Sequence, residues 1–149
     1  MEFSIRKAER KDCIRIMELV RELALFEKAP EQVTVTQEHF EESGFGDNPV
    51  WWGYVAEHEG NIVAAAIYYI RYSTWKGQRM YLEDIIVNEA YRGKGIGTML
   101  FEKLIEEAKE KKFTGMMWQA LDWNTPALDF YKKFGASFDE GWVNCHLDF

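Results

Sequence analysis

The sequence predicts an α/β domain, and three observations carry that prediction. Apolar residues recur with two periods, alternating in some stretches and returning every three to four residues in others. These stretches follow one another as strand, helices, three strands, helix, strand, helix, strand. At the centre, residues 81–97 pass from an apolar strand through Asn88-Glu-Ala-Tyr91 into Arg92-Gly-Lys-Gly-Ile-Gly97, a glycine-rich turn that opens a helical pattern.

Taken in order, Phe3 and Ile5 alternate as a short first strand. Asp12 stands at a cap position ahead of Ile16, Met17, Val20, Leu23 and Ala24, which mark an amphipathic helix that Pro30 ends. Phe26 and Glu27 fall at the end of that helix. A short second helix over 36–42 precedes Gly44-Phe-Gly-Asp-Asn-Pro49, a turn-rich break. Residues 51–57 and 62–72 are β-rich and joined by His58-Glu-Gly-Asn61, the pattern of an antiparallel hairpin. Residues 73–79 read as a polar loop holding Trp75 beside a cavity, and 81–87 as the next strand. Met99, Leu100, Leu104 and Ala108 form one stripe of a long helix from Ile96. Residues 116–121 read as a central strand buried on both faces. Asn124-Thr-Pro126 opens a last helix that Gly135 stops, and 143–147 close the chain as a strand. No repeat or linker interrupts the pattern, so one domain over 1–149 is expected.

The chain of 149 residues is 47% hydrophobic, enough to bury a core without disulfides or metals. No apolar run is long enough to span a bilayer, and Met1-Glu-Phe-Ser-Ile-Arg6 lacks the layout of a secretory signal, so a cytoplasmic location is expected. Cys13 and Cys145 lie far apart without the paired spacing of a zinc or redox site, and both read as packing residues. Cys145 adjoins His146, but neighbours on a strand face apart, which argues against a thiol nucleophile. With 25 acidic against 18 basic residues the formal charge is -7, which repels nucleic acid and attracts cations such as an amine. The same acidity serves solubility, and charge alone does not separate the two roles.

A helix opened by glycine-rich backbone exposes unpaired N–H groups at its positive end, and Gly93, Gly95 and Gly97 let an anion approach them. No Gly-Lys-Ser/Thr completes a P-loop, and the glycine spacing does not complete a dinucleotide fingerprint. A plain glycine-rich helix start is the alternative. Following an apolar strand, Arg92-Gly-Lys-Gly-Ile-Gly97 resembles the pyrophosphate-binding signature of the GNAT superfamily of N-acetyltransferases. Five ordered motifs extend the resemblance over nearly the whole chain: Tyr81-Leu-Glu-Asp84, Tyr91 through Gly97, Trp123-Asn124, Phe130-Tyr-Lys-Lys133 before Gly135-Ala136, and Glu140-Gly-Trp142. They look like the spermidine/spermine (diamine) acetyltransferase branch. That branch carries Asp-Pro before the loop tryptophan, whereas Ser73-Thr74 stand here. With Trp75-Lys-Gly77 and Phe45-Gly-Asp-Asn-Pro49, that segment is more similar to the thialysine acetyltransferase relatives.

The resemblance implies a GNAT fold, a central twisted mixed sheet of about six to seven strands flanked by about four helices. It implies direct acetyl transfer in a ternary complex, from acetyl-CoA to the primary amine of a thialysine-like, lysine-like or polyamine substrate. It also implies a homodimer, and neither a metal, nucleic acid nor a membrane as partner. Tyr131 matches the general acid that protonates the coenzyme A sulfur, although its spacing with Ala127, Phe130 and Phe134 also suits a core residue. The backbone of Ile85, Ile86 and Val87 corresponds to the segment that pairs with the pantetheine arm and polarises the thioester carbonyl. Arg92, Gly93, Lys94, Gly95, Ile96, Gly97 and Thr98, with Asn124, Ala127 and Lys133, match cofactor-binding positions. Asn124 also suits a helix cap. Glu83 is the natural base, acting through water, because an amine must lose a proton before it attacks. Glu83 and Asp84 are adjacent on a strand and point to opposite faces unless a bulge re-aims one of them. Phe26, Glu27, Ser73, Trp75, Asp84, Glu140 and Trp142 match or border the amine site, where carboxylates and aromatic faces attract ammonium. The alternatives are an acetyltransferase of protein N-termini or lysines and a non-catalytic acyl-CoA-binding regulator.

Overall fold

The computed structural model describes residues 2–149. Five strands form one mixed sheet in the order β1-β2-β3-β4-β5: β1 Ser4–Lys7, β2 Trp52–His58, β3 Asn61–Ser73, β4 Gly77–Val87 and β5 Met116–Trp118. The first four are antiparallel neighbours, and β5 joins β4 in parallel over Met80–Leu82 only. The helices are α1 Cys13–Phe26, α2 Gln37–Phe45, α3 Ile96–Glu110 and α4 Thr125–Lys132. The chain forms two compact units, Met1–Trp118 and Gln119–Phe149.

The order of elements follows the sequence pattern, with five strands among the described residues rather than six to seven. The strand expected over 116–121 ends at Trp118, and the one expected over 143–147 does not form. An alternating segment becomes a strand only when its backbone pairs with an edge. Within the second unit, the tie between these two stretches is a side-chain hydrogen bond from Gln119 Nε2 to Asn144 Oδ1 (3.1 Å). Cys145 is exposed there, so the packing role expected for it does not hold, whereas Cys13 is buried. The polar loop expected over 73–79 is shorter, because β3 runs to Ser73 and β4 starts at Gly77. Ser73 Oγ closes that hairpin by accepting N–H bonds from Trp75 (3.2 Å) and Lys76 (3.1 Å).

Asp12 precedes α1 without capping it through its side chain. Its carboxylate, only 3% exposed, accepts two bonds from Arg6 (2.7 and 2.9 Å) and one from the Glu9 N–H (2.7 Å). Arg6 also binds Glu57 at 2.6 Å, so one guanidinium ties β1, β2 and the start of α1 together. Helix α1 ends at Phe26, before Pro30, where Lys28 adopts a left-handed conformation (φ 63°). The Ala29 N–H then donates to Ala24 O (2.9 Å) and the Lys28 N–H to Leu25 O (3.1 Å), a Schellman-type end.

Helices α1 and α2 cover one face of the sheet. Cys13, Ile16 and Leu19 pack with Val55, Ala65, Ile67 and Ile86, and burying each of the larger aliphatic side chains among them is worth roughly 1.5–3 kcal/mol. Trp51 joins α2 to this core, stacked on Phe40 (4.6 Å) and edge-on to Phe45 (5.4 Å), with its Nε1 donating to Phe40 O at 3.0 Å. Gly44 lies so close to Trp51 that a Cβ there would sit 2.3 Å from the indole.

Helix α3 is held to the sheet by Ile96, Leu100, Phe101, Leu104 and Ala108, and by one buried carboxylate. Glu107 accepts a hydrogen bond from the Tyr54 hydroxyl (2.5 Å) and another from the Tyr68 hydroxyl. Burial works against its ionisation, but the two phenols and the nearby Lys111 and Lys7 bring its pKa below the ordinary value. Removing the carboxylate would leave two buried hydroxyls without an acceptor. Glu107→Ala is expected to destabilise the fold by about 2–3 kcal/mol, read as a lower urea midpoint at unchanged m-value. An unchanged midpoint would show that the phenols find other partners.

Candidate active site

The candidate site is built along β4 and the turn that follows it. Strand β4 leaves its pairing with β5 after Leu82, so among the described residues no strand pairs with the backbone of Ile85, Ile86 and Val87 on that side of the sheet. The chain then passes through a short 3-10 turn, Glu89–Tyr91, into α3. Gly93 (φ 76°) and Gly95 (φ 83°) are left-handed, and no side chain caps α3. Left-handed backbone strains any residue with a Cβ, which is why glycine stands here. A Cβ at either position would meet nothing within 4 Å, so the space beside the turn is open. Uncapped N–H groups, the positive end of a 15-residue helix and open space fit an anion such as a pyrophosphate. Arg92, Lys94 and Thr98 are exposed around the turn, whereas Ile96 is buried and secures the helix start.

Three anchors fix the approach to this turn. Asn88 donates from Nδ2 to both carboxylate oxygens of Glu22 on α1 (3.1 and 3.2 Å), while its Oδ1 accepts from the Ala90 N–H. The Tyr91 ring packs with Phe3 (6.4 Å) and His58 (5.8 Å). Arg92 donates from Nε to Val87 O (3.1 Å), and its guanidinium lies 5.6 Å above the Phe26 ring. Phe26, expected beside the amine, underlies Arg92 of the glycine turn. Neither Asn88 nor Glu22 stands out in the sequence, because an i to i+66 hydrogen bond leaves no local trace there.

The acid pair owes its orientation to a bulge. Ile67 pairs with Asp84 and Tyr68 with Leu82, so Glu83 is an extra residue in β4. Cross-strand partners share a face, and Ile67 and Tyr69 lie on the same face of β3. Asp84, opposite Ile67, thus shares a face with Tyr81, opposite Tyr69, although regular alternation would separate them. Glu83 meets the same face, where its charge acts on the Tyr69 phenol. Burial, then the Glu83 charge, pushes the Tyr69 phenol up to about 12. Both carboxylates are thereby brought to the side that α1 covers.

Glu27, the residue after α1, completes a trio. Asp84 is half-buried, and burial first, then the charges of Glu83 and Glu27, push its carboxyl up to about 7. Burial also raises the Glu27 carboxyl from its ordinary value. Among the described residues no group of three His, Cys, Asp or Glu side chains is arranged to hold a metal ion. Trp75 stands at the hairpin tip, 90% exposed, and Ser73 spends its hydroxyl oxygen on the turn.

The second unit carries the remaining expected residues. Asn124 is the N-cap of α4, its Oδ1 accepting from the Ala127 N–H at 3.4 Å, with Pro126 in the first turn. Tyr131 is 7% exposed and edge-on to Phe130 (5.4 Å). Lys133 is the exposed C-cap, and left-handed Gly135 (φ 80°) follows, its N–H bonded to Lys132 O. Glu140 and Trp142 lie exposed in the irregular C-terminal segment.

The model of the acetyltransferase (GNAT) family matches residues 13–136. The thialysine N-epsilon-acetyltransferase of Mus musculus is 42% identical, with 97% of this chain and 91% of that protein covered. The spermidine/spermine N(1)-acetyltransferase-like protein 1 of Homo sapiens is 35% identical over 94% of this chain, which spans 22% of that longer protein. Among solved structures, an aminoglycoside acetyltransferase from an uncultured soil metagenomic sample superposes with a TM-score of 0.80 at 21% identity. That likeness covers 99% of this chain and 96% of the other, and it is one of fold.

The trio makes stability depend on pH in a definite direction. Asp84 titrates near 7 when folded, against about 3.9 unfolded, so between those values the folded state binds more protons and stability falls as pH rises. Asp84→Asn is expected to stabilise the fold by on the order of 2 kcal/mol at pH 8, a gain that vanishes near pH 4. Urea denaturation of both proteins across that range checks it. A pH-independent gain would place its cause outside this carboxyl.

Proposed function

The chain is a member of the acetyltransferase (GNAT) family, and from that premise we propose that it transfers an acetyl group from acetyl-CoA directly to the primary amine of a small cationic substrate. The observation that carries this reading is the β4 bulge, which puts two carboxylates on one face of the strand that leads into the anion turn. A lysine-like amine is the preferred substrate, supported by the identity to thialysine N-epsilon-acetyltransferases. We take residues 1–149 as one catalytic domain, acting as a cytoplasmic homodimer.

Acetyl-CoA supplies the activated acetyl thioester. Residues 92–98 would hold its pyrophosphate through main-chain N–H groups, with Lys94, Lys133 and the Asn124 and Ala127 region as further contacts. The backbone of residues 85–87 would pair with its pantetheine arm and present an N–H to the thioester carbonyl. Glu27, Glu83 and Asp84 attract the substrate ammonium, whose ordinary pKa of about 10.4 keeps it protonated at neutral pH. Glu83 accepts the surplus proton through a water. Asp84, held near 7, is matched to exchange that proton with solvent at the working pH. The Tyr131 hydroxyl holds the proton for the departing sulfur. One N–C bond forms as one C–S bond breaks: of the two protons the nitrogen gives up, one leaves through the water and Glu83, and the other restores the Tyr131 hydroxyl after it protonates the sulfur. Glu140 and Trp142 extend the amine site, and Phe26, Ser73 and Trp75 border it.

Acetylation assays on thialysine, lysine, spermidine, putrescine and lysine peptides test the proposal. We expect the highest kcat/KM for the lysine-like amino acids. A preference for spermidine or for peptides overturns the substrate assignment, and binding of acetyl-CoA without turnover of any amine supports a regulator instead. Tyr131→Phe is expected to lower kcat by about 10²- to 10⁴-fold while the affinity for acetyl-CoA is kept. Near-normal turnover would remove Tyr131 from the acid role.

A further inference from the structure

Where β3 and β4 extend past the core, Arg71 and Arg79 are direct cross-strand partners, a pairing of like charges that sheets disfavour. Neither forms an ion pair among the described residues. Arg79 is engaged, its Nη1 donating to Thr114 Oγ1 (3.3 Å) and its guanidinium lying against Gly115. Arg71 is exposed, and its guanidinium carbon stands 5.9 Å from the centre of the Tyr81 ring. Tyr81 in turn stacks on Tyr69 (4.9 Å).

Position along the sheet gives this arginine a role. Ile67, Tyr69 and Arg71 alternate on one face of β3, the face on which the bulge sets the acid pair. A guanidinium above Tyr81 is at the level of the Tyr69 pair, two residues from the Ile67 level of Asp84, a spacing of roughly 7 Å. An extended lysine-sized amino acid separates its terminal nitrogen from its carboxylate carbon by roughly 7 Å as well, from ordinary bond lengths. We propose that Arg71 is a specificity-determining residue that receives the carboxylate of an amino-acid substrate whose terminal amine lies at Glu27, Glu83 and Asp84. The proposal rests on the small-amine acetyltransferase reading and narrows it. The Tyr81 face supports the guanidinium before substrate arrives. A carboxylate gains a charge-assisted hydrogen bond there, whereas the second ammonium of a polyamine meets a like charge, so one side chain selects by attraction and by repulsion.

Kinetics on lysine and on cadaverine, the same chain without its carboxylate, test this in the wild type, Arg71→Gln and Arg71→Lys. Arg71→Gln is expected to lower kcat/KM for lysine about three- to tenfold through KM, the size of a partly solvated charge pair, and to leave cadaverine unchanged or improved. Arg71→Lys should retain part of the preference. Equal losses on both amines, or no loss on lysine, would overturn the inference. Calorimetric titration of lysine into the coenzyme A-saturated protein gives a readout independent of turnover, with weaker binding expected in Arg71→Gln and equal binding overturning the proposal. If the wild type acetylates neither amine, the lysine-like substrate reading fails, while the titration still decides Arg71.

Discussion

The pairing of β3 with β4 skips one residue at Glu83, and the chemistry available to this face of the sheet depends on that skip. Toward Val87, the strand presents Ile86 to the α1 core; toward Gly77, Met80 and Leu82 are buried. A strand without the extra residue would have to turn either its apolar set or its acids to the wrong side. The bulge reconciles the two halves by leaving Glu83 unpaired and bringing both acids to one side. The parallel ladder with β5 stops at Leu82, just before the same point, so β4 is released from its neighbour where its side chains change face.

Clustering three acids opposes stability. Asp84 is raised because burial and two nearby carboxylates all disfavour its charge, and no cation among the described residues forms an ion pair with it or with Glu27 or Glu83. By contrast, the acids that serve the scaffold are paired: Asp12 and Glu57 with Arg6, and Glu107 with two phenols. Strain confined to a few groups on a well-packed sheet is the usual mark of a site kept for a ligand. Its counterpart is the firmness of the surrounding frame, in which Asn88, Tyr91 and Arg92 fasten the glycine turn to α1 and to the β2–β3 end of the sheet.

Much of the fold was legible in the sequence because local patterns and local chemistry agree. The stripe through Leu100, Leu104 and Ala108, the Asn124-Thr-Pro start of α4 and the β2–β3 hairpin each follow from short-range rules that the tertiary structure did not override. The glycine turn before α3 was equally readable, since left-handed backbone at Gly93 and Gly95 is a demand that few other residues meet. Alternation over 143–147 misled, because period two describes what a segment could pair as and says nothing about whether an edge is free. Asp12 misled for a related reason: its spacing suits a cap, but Arg6 offers a buried carboxylate a stronger partner than a helix N–H.

The sequence by itself therefore determined most of the element types, the glycine turn and the identity of the acids, through periodicity, glycine's conformational freedom and motif. Whether Glu83 and Asp84 act on one face or two was undecidable from their adjacency, because a bulge is a mismatch between two strands and belongs to neither alone. The same holds for Tyr69 and Arg71, ordinary strand residues until the β3–β4 register sets them beside Tyr81 and the acid pair. Only the tertiary structure decided those relations, since they are set by pairing over long sequence separations, where local propensity carries no information.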